Sequence, residues 1–257
     1  LTENPATVSA PFTLAVCILF GGFMGLLDDW MDLKWRYKAF MPLIAALPLI
    51  YFAAANPEVR TSITIPLIGM IDFGPTLYFY VIIPVIVMIV TNAVNMLGGF
   101  NGLESICPAI VIIGLMGLSL ENSSTLYLLM LGPIIFWLVL AGLNLQGKIF
   151  VGNSGSFAIG MTIASFAVIA DLKLSLAISI LPYIFNSSLI LLTVFFTRKK
   201  AQITFTGNKL QSDHRRSLVT AIAYRKPLTE RQVVLIVSAI VAAFTLLAVI
   251  VSLLDLF

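Results

Sequence analysis

The stretch TNAVNMLGGFNGLE, residues 91–104, decides how this chain is read. It closes an apolar run, residues 78–90, that with its flanks is long enough to cross a bilayer. Three amides (Asn92, Asn95, Asn101), three glycines (Gly98, Gly99, Gly102) and one carboxylate, Glu104, then replace Ile and Val. Amides and irregular backbone at membrane depth are tolerated where they are buried in protein or line a wet cavity. The stretch therefore reads as one wall of a polar site at the membrane surface.

Composition sets the class around it. Of 257 residues, 60% are hydrophobic and 11% charged, against roughly 25% charged in a soluble domain. The apolar residues come in long runs, and about 20 of them in a row suit a bilayer core of about 30 Å. The expected fold is all-α, a polytopic membrane helix bundle of eight spans. These are residues 10–27, 39–55, 76–97, 105–120, 126–143, 157–170, 174–196 and 233–254. Between the second and third, residues 56–75 hold short β-branched runs with Gly69 and Gly74 nearby, which predict a small β-hairpin on the membrane face. Residues 197–232 form the one long hydrophilic loop. Cys17 and Cys107 lie in apolar runs with no CxxC or His partner and read as small buried hydrophobes.

The basic residues set the orientation. Of the 15 Lys and Arg, all but Arg60 and Lys173 fall after spans one, three, five and seven. By the positive-inside rule those four loops are cytoplasmic, and the hairpin and both ends of the chain face outward. Every unusual polar cluster then lies on the basic side, which points to one site.

Each cluster has two readings. Asp28 and Asp29 are either a solvated helix end or a carboxylate pair whose pKa values are driven apart, separating a proton acceptor from a structural anion. Asn92 and Asn95, one helical turn apart, either bridge helices or offer neutral oxygens suited to Mg²⁺. Glu104 suits the first turn of the fourth span. The turn 151–156, VGNSGS, leads into a helix N-terminus, a ready anion site, and Phe150 before it either packs or stacks on a base. His214, Arg215 and Arg216 either meet anionic lipid or clamp a diphosphate. Together these parts suit metal-assisted phosphoryl transfer between a soluble nucleotide and a lipid.

Three segments carry a family resemblance: LDDWMDLKWRYK (27–38), NAVNMLGGFNGLE (92–104) and FVGNSGSFAIGMT (150–162). In order and spacing they resemble the polyprenyl-phosphate N-acetylhexosamine-1-phosphate transferases, above all the archaeal and eukaryotic enzymes that act on UDP-GlcNAc and dolichyl phosphate. The resemblance implies a single integral membrane transferase domain over residues 1–257, with its active site cytoplasmic, in a cell membrane or the endoplasmic reticulum. It implies transfer of a sugar-1-phosphate from a UDP-N-acetylhexosamine to polyprenyl or dolichyl phosphate, releasing UMP, with Mg²⁺ or Mn²⁺. Asp28 and Asp29 match the acidic pair near the lipid phosphate, one of them a base, and Lys38 a basic residue on phosphate. Asn95 matches a metal-ligating amide, Gly99 and Asn101 the uracil-binding loop, and Phe150 the aromatic that stacks on uracil. Glu104, His214, Arg215 and Arg216 fall among groups facing the rest of the substrate. A homodimer fits the family, and no nucleic-acid partner is expected.

Three features depart from the family pattern. Asn153 stands where most members have a metal-ligating Asp. The last loop has one His where bacterial members have several. The family has ten spans, so the first two are expected to be missing from this chain. The alternatives are a transporter or flippase, for which ionisable groups near mid-membrane and related halves are expected, and a catalytically inactive homologue.

Overall fold

The computed structural model describes residues 9–57, 59–65, 68–122, 124–198, 203–206 and 209–254. The first eight residues, and Lys199 and Lys200 of the basic loop, lie outside them. Among the described residues, seven helices are long and apolar enough to cross a membrane, and a helix pair bent by 56° makes eight when counted as one span. The all-α bundle expected from the sequence is present.

Helix α1 (Ala10–Met31) ends where Asp32 takes a left-handed conformation, φ 46°, its N–H donating to the Asp28 carbonyl. A short polar side chain tolerates that region better than most residues do. The second span, read as one helix, is two: α2 (Trp35–Ala45) and α3 (Leu47–Ala55). Pro48 has no N–H to donate back to Ile44, so the ladder breaks at Ala46. Proline also shapes the third span, α4 (Gly74–Leu77), a π-helical turn (Tyr78–Ile82) and α5 (Ile83–Met96). Pro84 cannot donate to Tyr80, and the Ile83 N–H reaches back five residues to the Tyr78 carbonyl, the local widening that defines a π turn.

Helices α6 (Leu103–Asn122) and α7 (Ser124–Leu145) follow, then α8 (Gly152–Ile169). Every residue of α8 from 156 to 169 is buried, so this helix is the axis of the bundle. Small residues let its neighbours close on it, as in membrane bundles generally. A Cβ at Gly160 would lie 2.8 Å from Thr91 Cα of α5, and one at Gly25 of α1 would overlap the Asn153 carbonyl. The seventh span bends at Ile180 between α9 (Lys173–Ser179) and α10 (Leu181–Thr197), just before Pro182. The last, α12 (Glu230–Leu253), starts earlier than its apolar run because Thr229 and Gln232 form a capping box.

The expected hairpin is β1 (Ser62–Ile65) with β2 (Gly69–Asp72), antiparallel, Ser62 opposite Asp72. Hydrogen bonds from the Thr61 hydroxyl and the Gly74 N–H hold the exposed Asp72 carboxyl below its usual range. Lys173 ties the hairpin's base to the bundle through the Arg60 carbonyl, at 2.7 Å, and the Asp171 carboxylate. The long hydrophilic loop is itself folded, with a second antiparallel pair, β3 (Thr204–Thr206) and β4 (Lys209–Gln211), and a short helix, α11 (Leu218–Ile222).

Candidate active site

The clusters that hold Asp29 and Asn95 meet the 151–156 turn at one end of the bundle, on the first turn of α8. That helix has no cap from its own Val151, which would leave its first N–H groups without partners. Asp29 of α1 supplies the cap from across the interface. Its Oδ1 accepts from the Asn153 N–H at 3.0 Å, and its Oδ2 from the Ser154 N–H and hydroxyl at 2.9 and 2.7 Å. The Asn153 side chain lies beside the same carboxylate. The helix N-terminus that the sequence offers to a phosphate is thus taken, in part, by a carboxylate of the chain itself, a favourable placement for negative charge.

Asp28, one residue earlier, is placed differently. It is 3% exposed; its Oδ1 accepts from the Leu33 N–H at 3.2 Å and pairs with Lys38 Nζ at 2.8 Å. Its Oδ2 is buried with no hydrogen-bond partner. The acidic pair is therefore split in role: Asp29 is committed through both oxygens, while Asp28 keeps one uncommitted.

Helix α5 brings Asn95 to the same place, where its Oδ1 accepts from the Ser156 hydroxyl of α8 at 2.7 Å. Asn92, one turn back, bridges helices, donating to the Ala39 carbonyl of α2 at 3.0 Å and to Met88. The loop after α5 is held by side chains from three helices. Glu104 of α6 accepts from the Gly99 N–H, Asn144 of α7 from the Gly102 N–H at 2.7 Å, and Glu230 of α12 from the Asn101 N–H at 2.8 Å. Gly99 and Gly102 have φ of 96° and 94°, conformations that glycine adopts without a steric penalty. Asn144 also donates to the Ile149 carbonyl at 3.0 Å, fixing the backbone beside Phe150. The Phe150 ring is 75% exposed, so packing does not account for it.

The loop 212–217 lies just before α11. Arg215 sits over the Tyr224 ring, 4.3 Å from its centroid, and His214 lies 4.0 Å from the Asp213 carboxylate and near the Ser212 hydroxyl. Asn186 of α10 links this segment to α5, accepting from the Leu218 N–H and donating to the Met96 carbonyl. An apolar groove of about 630 Å³, lined by Leu19, Phe23 and Leu26 of α1 and by Phe136 and Trp137 of α7, runs along the α1 face that leads toward Asp29.

The sequence reading did not single out Asn144, Asn186 or Glu230 as site residues. Asn186 is a lone amide inside an apolar run, the same signal that drew notice to Asn92 and Asn95. Glu230 sits inside TERQ, a legible capping box that marks a helix start.

Among the described residues no group of three or more His, Cys, Asp or Glu side chains is arranged to hold a metal ion. A cation here would be held by few protein oxygens plus substrate phosphates, the habit of Mg²⁺. The oxygens that would hold it are the partnerless Asp28 Oδ2 and the side-chain oxygens of Asn95 and Asn153, residues at the ends of α5 and α8.

Comparison with known proteins shows the family. The sequence model described as glycosyl transferase family 4 matches residues 11–171. A Sulfolobus acidocaldarius protein, provisionally named a UDP-N-acetylglucosamine–dolichyl-phosphate N-acetylglucosaminephosphotransferase, is 31% identical over 252 residues, covering 96% of this chain and 75% of that one. A Saccharolobus solfataricus protein with the same provisional name is 32% identical over 232 residues, 89% of this chain and 70% of its own length. A Streptococcus agalactiae phospho-N-acetylmuramoyl-pentapeptide-transferase is 26% identical over 221 residues, 81% of this chain and 64% of that protein. The chain belongs to glycosyl transferase family 4, the polyprenyl-phosphate hexosamine-1-phosphate transferases whose motifs it carries.

Proposed function

We propose that this protein transfers N-acetylglucosamine-1-phosphate from UDP-GlcNAc to a dolichyl-type phosphate and releases UMP, at the cytoplasmic face of the membrane. The observation that carries the reading is the convergence of three separated motifs on the first turn of α8: Asp29 on Asn153 and Ser154, and Asn95 on Ser156. The names of the archaeal relatives supply the substrates, and the one-sided distribution of Lys and Arg supplies the orientation.

In this reading an oxygen of the lipid phosphate attacks the β-phosphorus of the UDP-sugar. The bond from that phosphorus to the bridging oxygen breaks, and UMP leaves with the electron pair. The loop at Gly99 and Asn101, with the exposed Phe150 ring, holds uracil; Lys38 and the arginines of the 214–216 segment face phosphate charge. Asp28, through its uncommitted oxygen, takes the proton of a monoprotonated acceptor phosphate or ligates the cation. Mg²⁺, when bound, neutralises charge on the diphosphate and the leaving UMP. The test is UMP release by the purified protein from UDP-GlcNAc and dolichyl phosphate, with Mg²⁺ or with chelator. Mg²⁺-dependent UMP is the expected result; no UMP from saturating substrates contradicts the reading.

The neutral residue at position 153 makes a separate prediction. In the protein as it stands, the neutral Asn153 amide lies beside the Asp29 carboxylate. Asn153→Asp puts a second carboxylate there, and unit like charges about 4 Å apart repel by about 1 kcal/mol even in high dielectric. In chelator the variant is expected to melt about 2–4 °C lower, and Mg²⁺ is expected to raise its melting temperature more than that of the parent. Equal Mg²⁺ responses in the two proteins would remove Asn153 from the cation site.

A further inference from the structure

We propose that Asn186 is a positioning residue for the diphosphate, holding the 214–216 cation segment at a fixed distance from the Asn95 end of α5. The proposal rests on the transferase reading above. Asn186 is 1% exposed and sits on α10, in the bent span that neither substrate motif reaches. Its Nδ2 donates to the Met96 carbonyl at 3.0 Å, and its Oδ1 accepts from the Leu218 N–H at 2.9 Å.

Both partners are backbone groups that helices leave unsatisfied. Met96 is the last residue of α5, and Leu218 the first of α11. The cap of α11 does not serve Leu218, because the Ser217 hydroxyl is engaged with Thr220. A single planar amide, donor on one side and acceptor on the other, therefore joins a helix C-terminus to a helix N-terminus. Asn95 is one residue from the first joint, and Arg216 is two residues from the second. Arg215 is steadied from the far side by the Tyr224 ring. No other residue type of this size offers both bonds: Leu offers neither, and ionised Asp offers acceptors alone.

The segment so held carries the arginines that face the diphosphate in the transferase reading. Release of the joint lets the segment drift relative to Asn95, and a misplaced guanidinium weakens binding of the diphosphate while leaving the lipid acceptor untouched. That separates a positioning role from a bland one. A buried amide that only satisfies the core would, when lost, lower stability and spread its effect over both substrates.

The full chain, purified and assayed for UMP release, tests this with Asn186→Leu, Arg215→Ala and the double variant. Asn186→Leu is expected to raise the KM for UDP-GlcNAc about tenfold, the size of one lost hydrogen bond, with the KM for dolichyl phosphate within about twofold of the parent. If Asn186 acts through the cation segment, the double variant is no worse than Arg215→Ala, because coupled residues are not additive. Leu218→Pro gives a second route that leaves Asn186 in place. Proline suits the first position of a helix, and the extended Ser217 before it is compatible. The change deletes the N–H that Asn186 accepts from together with the buried Leu218 side chain, so Leu218→Ala, which keeps the N–H, is its control. Leu218→Pro is expected to reproduce the KM shift even where Asn186→Leu fails to fold. Additive effects, or equal rises in both KM values, would overturn the positioning role. An unchanged KM in Arg215→Ala would instead overturn the transferase reading of that segment.

Discussion

Asp28→Asn is expected to lower the rate of UMP release about 10²- to 10⁴-fold, the range for loss of a general acid–base group. The parent carboxylate is buried, balanced by Lys38 at 2.8 Å and the Leu33 N–H, and retains one oxygen with no partner. Leaving a buried acceptor unpaired costs about 1–3 kcal/mol, and a ligand or cation that reached it would recover that free energy. The amide removes the charge, leaves Lys38 only the exposed Asp32 carboxylate at 3.7 Å as counter-ion and puts a donor where an acceptor stood. Asp29→Asn is expected to be milder toward turnover, because it keeps one acceptor for the first turn of α8 and its oxygens are already committed to structure. The rates are to be compared at saturating substrate, with melting temperatures alongside. A larger loss in Asp29→Asn than in Asp28→Asn would reverse the assignment of the two carboxylates.

Gly25→Val is expected to lower stability and activity together. A Cβ at this position would overlap the Asn153 carbonyl and approach Ser154 Cα. Those neighbours are backbone, so they cannot rotate away; α1 and α8 must separate. Overpacking of this kind costs about 1–3 kcal/mol, and about a 1 Å misplacement at a reacting site can cost ~10²-fold in rate. The displaced residues are the ones Asp29 holds, so the melting temperature and UMP release are expected to fall together. Gly22→Ala, three residues away, is the control: its Cβ would meet only the Ala158 Cβ, at 3.9 Å. Parent-like behaviour of Gly25→Val would show that the two helices are not held in register by this contact.

The apolar spans and the small β1–β2 hairpin were legible in the sequence because bilayer thickness and β-branched runs leave strong one-dimensional signals. The kinks were not placed. Pro48, Pro84 and Pro182 are visible, but whether a proline breaks, widens or merely bends a helix depends on which neighbours re-satisfy the freed carbonyl. In the site, the motifs were legible and their partners were not. The GNSGS turn advertised an anion site at a helix N-terminus; that Asp29 of another helix fills it follows only from the approach allowed by Gly25. Asp28 and Asp29 are adjacent and chemically identical, and only the burial and the partners that the fold gives them separate the two. Asn144, Asn186 and Glu230 act on backbone groups 42, 32 and 129 residues away, distances at which sequence pattern carries no information about pairing.

The most direct measurement follows the phosphorus. With UDP-GlcNAc carrying its label on the β-phosphate, the purified protein, dolichyl phosphate and Mg²⁺, the account predicts label in the lipid fraction and an equal amount of unlabelled UMP. Label retained in UDP, with sugar alone moved to the lipid, would show that the sugar–oxygen bond breaks instead, and would contradict phosphoryl transfer at this site.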